Sequence, residues 1–482
     1  MEKLTKIVAT ISDLKCEPEL LQSLYEAGMD VVRINTAHQN PDQTLKVMEN
    51  TRKVSAKIPF MLDTKGPEIR TNDMETDLEV TQGQLIKFAG KPGVASTKDC
   101  INVSYEQFVN DLDVNKKIMI DDGAIELTVV EKHPGYLVCQ VNNSGEIKPR
   151  KSVNLPCTSI SLPALSEKDR KYIDFAIEHD MDFIAHSFVR NKEDILEIQE
   201  ILDRHQSLIK IIAKIENQQG IDNIDEILDH VHGIMIARGD LAIEIPAERI
   251  PVVQAELIKK CIRRKKSVIV ATQMLHSMIK NPRPTRAELS DIATAVFSGT
   301  DAVMLSGETA FGKYPLESVQ FMTKTVREAE KGRSIGLEGK VMPHDNQVSV
   351  FLSRTAVRSI EKLNTKAIIT DTDTGKTARY LAAFRGRVPI YAQCYDSRVM
   401  RELALTYGIV ADYMDVETSK KDFIRATLCR LLDRKEIQEE DLILVLAGNF
   451  GKKAGPSFVE ISTARNMLSD QGALNPRNKL CD

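Results

Sequence analysis

In the stretch KIIAKIENQQGIDNIDEILDHVHGIMIARGDLAIE, from Lys210 to Glu244, two short apolar runs each end abruptly in charge, with an amphipathic segment between them. Alternate residues of a strand share a face, so Lys214 and Glu216 point the same way, roughly 6–7 Å apart. The second run closes on Arg238, Gly239 and Asp240. Two carboxylates and a lysine at the ends of neighbouring apolar strands suit a hard cation together with a bound anion. Charged loop residues more often form surface salt bridges. Lys214, however, lies inside its apolar run, where an unpaired charge is costly. The expectation is chemistry that uses the charge.

Positioning those groups requires strands that end side by side. Strand-like runs occupy residues 6–11, 30–35, 58–65, 181–188, 208–216, 233–239, 267–273 and 302–308, with helix-like segments between most of them. Strand–helix alternation at this spacing means parallel βαβ units, and eight of them close a (β/α)8 TIM barrel, an α/β fold. Nearly all end in polar residues: Arg33 and Asn35, Asp63 and Thr64, Ser187, Glu216, Asp240, Thr272, Ser306. Residues 72–159 break the alternation with short β-rich runs punctuated by Asn, Asp and Gly, which predicts an inserted small β-barrel lid domain. The barrel is therefore expected over residues 1–71 and 160–344, and a C-terminal α/β domain over 345–482. Thr285 with Glu288 three residues on predicts a capping box.

Composition narrows the function class. The 482 residues carry 65 Lys plus Arg against 69 Asp plus Glu, a net charge of −4. That balance gives no support to a dedicated nucleic-acid binder. No apolar run approaches about 18–20 residues, so no membrane span is expected. The charged start MEKLTKIVATI predicts no secretory signal. The eight cysteines never form CxxC, which predicts reduced thiols, neither zinc site nor disulfide framework, and a cytoplasmic protein.

VVRIN followed by His38, LDTKGPEIRT (62–71), VNLP (153–156), LPALSEKD (162–169), KIENQQGIDNIDEIL (214–228), IMIARGDL (234–241), ATQMLHSMIKNPRPTRAE (271–288) and MLSGETAFGKYP (304–315) together resemble the pyruvate kinase family, in the family's order. The resemblance implies transfer of the phosphoryl group of phosphoenolpyruvate to ADP, the last step of glycolysis. It implies Glu216 and Asp240 as ligands of Mg²⁺ or Mn²⁺. It implies Lys214 and Arg33 on the transferring phosphoryl group, Gly239, Asp240 and Thr272 at the substrate, and His38, Arg70 and Lys168 at the nucleotide. Thr272 corresponds to the threonine that helps deliver a proton, and Ser306 stands open between that relay and a structural hydroxyl capping the next helix. Asn35, Asp63 and Thr64 match the K⁺ site, but Ala37 stands where the family usually has Ser, which removes one oxygen ligand. Glu68 matches the glutamate that accompanies K⁺ dependence.

Thr372, Thr374, Gly375, Lys376 and Thr377 resemble the family's effector-phosphate loop. A helix start of this kind is an anion site, yet Asp371 and Asp373 oppose a phosphate, so sugar-phosphate binding and an ordinary strand-to-helix turn both stand. The basic run 448–453 is divergent. The family also implies a homotetramer. Two rivals remain. Another Mg²⁺-enolate barrel, such as a pyruvate-type aldolase or phosphoenolpyruvate mutase, needs neither the insertion nor Arg70 and Lys168. A metabolite-binding scaffold leaves Lys214, Glu216, Asp240 and Thr272 without work.

Overall fold

The computed structural model describes residues 3–158, 160–333, 346–415, 419–448 and 455–469. Eight parallel strands form the central sheet: β1 (Lys6–Thr10), β2 (Val31–Asn35), β3 (Phe60–Asp63), β4 (Phe183–His186), β5 (Lys210–Ile215), β6 (Gly233–Ala237), β7 (Ser267–Ala271) and β8 (Ala302–Leu305). They close into a barrel in the order β1-β8-β7-β6-β5-β4-β3-β2, the architecture that the alternation predicts. β1, β6 and β7 are buried at every position, as parallel strands covered on both faces must be. In β5 the break in burial after the central apolar residues falls on Lys214.

Internal contacts divide the chain into two compact units: Met1–Leu62, Asp180–Phe183 and Leu257–Asp482 in the first, Asp63–His179 and Ile184–Glu256 in the second. In the first, the helix Pro18–Ala27 starts on a proline and stops at Gly28, φ 120°, where a Cβ would lie 2.5 Å from Thr323 Oγ1. The helix Arg286–Ser298 opens with the expected capping box: Thr285 accepts from the Glu288 N–H, and the Glu288 side chain accepts from the Thr285 N–H. A five-stranded sheet follows from β9 (Ala367–Thr372), β10 (Ile390–Cys394), β11 (Ile409–Tyr413), β12 (Leu442–Gly448) and β13 (Pro456–Thr463). Its order is β11-β10-β9-β12-β13, parallel except for the antiparallel pair β12–β13.

In the second unit, residues 78–154 form a six-stranded sheet and a two-stranded ribbon. They enclose their own apolar core, with Phe88, Phe108, Ile118, Leu127 and Leu137 among its fully buried members.

Several expectations need correction. The expected strand at 302–308 stops at Leu305, that at 233–239 at Ala237, and that at 58–65 runs only from Phe60 to Asp63. The expected strand at 208–216 stops at Ile215, that at 181–188 at His186 and that at 267–273 at Ala271. Beyond these ends the backbone turns left-handed, at Phe188 (φ 56°), Thr272 (φ 68°) and Gln273 (φ 55°), in the latter two strands. The edge strand β11 and the one-turn helix Phe108–Asp111 carry no strong period and escape a pattern reading. Among the described residues six cysteines are free thiols, but Cys429 is disulfide-bonded, against the all-thiol expectation. Among the described residues, no helix is long and apolar enough to cross a membrane.

Candidate active site

At the ends of β3, β4 and β5 the second unit gathers the charged residues that the sequence singles out. Lys214 Nζ lies 2.6 Å from Ser187 Oγ, 3.0 Å from Glu216 Oε1 and 3.1 Å from Asp63 Oδ1. The side chains of Asp63 and Glu216 are each 1% exposed, and that of Lys214 12%. Glu216 is fixed from its other oxygen by the Phe188 N–H, which donates at 2.7 Å. The cost of burying these charges is met by mutual contact, the condition under which buried ions are tolerated.

Asp240 follows β6 in the short helix Arg238–Glu244. Burial pushes the Glu216 carboxyl above the usual carboxylate range; the Lys214 ammonium pulls it down and the Asp240 charge pushes it up again. Asp240 is raised as well, by burial first, with Lys214 and a hydrogen bond to Glu216 opposing. Two neighbouring buried carboxylates with raised values are a donor pair that a cation would hold fully ionised. Among the described residues no three His, Cys, Asp or Glu side chains converge as a ready metal cage. A pair of carboxylates is nonetheless the donor set Mg²⁺ favours, with substrate oxygens and water completing its shell.

A cleft opens over this pair, lined by Glu68, Asp122, Ser152, Glu216, Asp240 and Glu244 among others. Burial pushes Glu244 up to about 7, with a backbone hydrogen bond from Cys157 opposing. Arg70, at the cleft's rim, donates to Glu68 from Nε at 2.7 Å and to the Arg150 carbonyl at 2.6 Å. Lys168 is exposed, its ammonium 5.7 Å from the centre of the Tyr172 ring. Thr64 donates from its backbone N–H to the Ala185 carbonyl at 3.0 Å.

Gly239 stands beside Asp240 in the helix Arg238–Glu244 of the second unit, and the first unit holds the remaining candidates. Arg33 is buried and donates to Thr10 Oγ1 at 2.8 Å. Asn35 Oδ1 accepts the Ala37 N–H at 3.0 Å, and His38 is exposed. Thr272 sits at φ 68°, strained for a β-branched residue, with its hydroxyl donating to the Ala271 carbonyl at 2.7 Å. The Ser306 side chain makes no cap hydrogen bond to the helix that follows, which removes the capping alternative. In the effector-like loop, Gly375 adopts φ 75° as N-cap of the helix Lys376–Ala383, and Thr372 and Thr377 are buried. Of the basic run 448–453, residues 449–453 lie outside the described residues.

Three residues that pattern reading left without a role hold the candidates in place or line their cleft. Ser187 contacts Lys214; its signal was a lone hydroxyl at a strand end. Glu308, 2% exposed, accepts from the N–H groups of Leu275 and Ser306 at 3.1 and 2.8 Å. Its signal was a charge three residues past the end of an apolar run. Glu244 faces the cleft from the same helix as Asp240.

Known proteins resemble the chain over most of its length. Residues 2–319 match the family model "Pyruvate kinase, barrel domain" and residues 351–461 "Pyruvate kinase, alpha/beta domain". A pyruvate kinase of Borreliella burgdorferi is 44% identical over 97% of this chain and 99% of its own. One from Bacillus licheniformis is 42% identical over 96% of this chain and 81% of its own. The crystal structure of a pyruvate kinase from Cryptosporidium parvum superposes with a TM-score of 0.91 at 35% identity, covering 96% of each chain. The chain belongs to the pyruvate kinase family, and its reaction is transfer of the phosphoryl group of phosphoenolpyruvate to ADP.

Proposed function

We propose that Lys214, Glu216 and Asp240 form the catalytic centre of this phosphotransferase. The observation that carries the reading is the Lys214 ammonium, held within 3.1 Å of both Glu216 and Asp63 beside the raised Asp240 carboxyl. Glu216 and Asp240 would hold Mg²⁺ or Mn²⁺, which when bound supplies charge neutralisation for the transferring group. Lys214 presents a compact ammonium to the phosphoryl group and to the enolate oxygen it leaves behind. Arg33 contacts the phosphate, and Gly239 and Thr272 the carboxylate end of the substrate. A threonine hydroxyl has too high a pKa to act as a lone acid, so Thr272 delivers the proton through water, with Ser306 in the relay. His38, Arg70 and Lys168 bind ADP. Over the carboxylate pair, residues 72–159 act as the lid that excludes water, so that ADP receives the phosphoryl group.

The domain division we infer is a barrel at 1–71 and 160–344, the lid at 72–159 and an effector and oligomerisation domain at 345–482. K⁺ is held by Asn35, Asp63 and Thr64, more weakly than in relatives with a serine, because Ala37 supplies no hydroxyl and water takes its place. Thr372, Thr374, Gly375, Lys376 and Thr377 form the loop for a sugar-phosphate effector. The assembly is a cytoplasmic homotetramer. Pyruvate formation from phosphoenolpyruvate and ADP with Mg²⁺, titrated with K⁺, tests the reading beside Lys214→Met. Activity that requires both substrates and rises with K⁺ is expected; activity flat across the K⁺ titration overturns the monovalent site.

A further inference from the structure

We propose that Ser187 is a positioning residue for catalysis, the neutral pivot that holds the Lys214 ammonium while the carboxylates around it change partners. The inference rests on the reading of Lys214 as the catalytic cation. Ser187, Glu216 and Asp63 all lie within 3.1 Å of Lys214 Nζ, and Glu216 and Asp63 are both candidate cation ligands. When cations bind, the lone pairs of those carboxylates are shared and their hold on the ammonium weakens. Ser187 is uncharged and is not itself a candidate cation ligand. Its hydroxyl donates to the Thr64 carbonyl at 2.6 Å, with Asp63 Oδ1 a second, longer acceptor at 3.4 Å, which leaves an oxygen lone pair facing Lys214, also at 2.6 Å. A hydroxyl has one proton and two acceptor sites, so whichever of these two oxygens takes the proton, a lone pair stays on the Lys214 ammonium.

The pivot is itself fixed on several sides. The Ser187 N–H donates to Thr64 Oγ1 at 3.0 Å, and Thr64 in turn is tied through its N–H to Ala185. The next residue, Phe188, donates its N–H to Glu216 and takes φ 56°. Gly66 makes the close approach feasible: at φ 69°, a Cβ there would stand 2.9 Å from Ser187 Cβ and 2.8 Å from Phe188 Cδ2. Through Thr64 and Asp63, Ser187 also joins the candidate K⁺ ligands to the candidate phosphoryl-binding lysine.

The test is steady-state kinetics of the full-length enzyme with Mg²⁺ and saturating K⁺, comparing Ser187→Ala, Ser187→Thr and Lys214→Met, with thermal melting of each. Ser187→Ala is expected to lower kcat about 10- to 100-fold. Its KM for phosphoenolpyruvate should stay within about threefold and its melting curve stay native, because misplacing Lys214 costs transition-state binding more than ground-state binding. Ser187→Thr, which keeps the hydroxyl, should recover most of that loss. Ser187→Ala within about twofold of the native kcat, with Lys214→Met inactive, overturns the role of Ser187 and leaves that of Lys214 standing. A natively melting Ser187→Thr as slow as Ser187→Ala likewise overturns it. Full activity in Lys214→Met instead overturns the underlying reading.

Discussion

Two buried ionic clusters in this protein look alike by burial and differ in how they are closed. In the first unit, Arg385 and Asp301 are 4% and 2% exposed and meet at 2.7 Å. Arg385 also donates to the carbonyls of Gly299 and Ala382, and Asp301 accepts from the N–H groups of Val268 and Tyr407. One charge meets one charge, and backbone groups take up the rest. In the second unit, Asp63, Glu216 and Asp240 gather about the Lys214 ammonium, and the last two carboxylates are displaced upward. A closed pair fixes a fold. A cluster weighted toward negative charge is set to receive cations, and burial alone does not separate the two cases.

Breaking each cluster at its cation sharpens the contrast. Lys214→Met should lower kcat roughly a thousandfold or more, since a preorganised charge at a developing anion is among the largest single contributions to such catalysis. Its melting curve should move less than that of Arg385→Met. The latter strands Asp301 and should cost roughly 3–5 kcal/mol of stability, with turnover per folded molecule retained. Denaturant melts beside active-site titration check both. A catalytic defect in Arg385→Met as large as that of Lys214→Met would erase the distinction.

Acid separates the two units in a second way. In the second unit, His186 is fully buried, neither ring nitrogen has a hydrogen-bond partner among the described residues, and burial pushes its imidazole down to about 4. The unfolded chain binds that proton near pH 6.5 and the folded chain does not. The neutral ring's contribution is therefore fully present above about 6.5 and lost as pH falls toward 4, up to about 3 kcal/mol. In the first unit burial works to raise Asp412, but hydrogen bonds from Arg434 and Lys57 hold it below its ordinary value. Its contribution is lost only as pH falls below the ordinary aspartate range. Stability measured against pH should thus soften first through His186. His186→Leu should flatten the limb between pH 6.5 and 4, and Lys57→Met only the limb below it. An unchanged upper limb in His186→Leu contradicts the assignment.

The comparison also explains what could be read before the fold was known. The barrel was legible because parallel strands buried on both faces are near-continuous apolar runs, and Lys214 and Glu216 because charge interrupts such a run two residues apart. The separation of roughly 6–7 Å expected from strand geometry becomes a 3.0 Å contact because both side chains lean toward each other on the shared face. The strand ends at His186 and Ala271 were overrun because polar chemistry there is carried on left-handed backbone, which no apolar pattern announces. Ser187 and Glu308 are ordinary residue types whose work depends on neighbours distant in sequence, Thr64 and Lys214 for one and Leu275 for the other. Strand β11 lies at a sheet edge, with Asp412 and Tyr413 in its last positions, and offers an apolar run of only three residues, Ile409 to Ala411.

The central claim is that Glu216 and Asp240 are buried together for a divalent cation. Mn²⁺ binding, followed by its paramagnetic resonance signal, tests it most directly in the native enzyme, Glu216→Gln and Arg385→Met. The account predicts one strong Mn²⁺ site per chain in the native enzyme and in folded Arg385→Met, weakened at least about tenfold in Glu216→Gln. Equal Mn²⁺ affinity in the native enzyme and Glu216→Gln would contradict it.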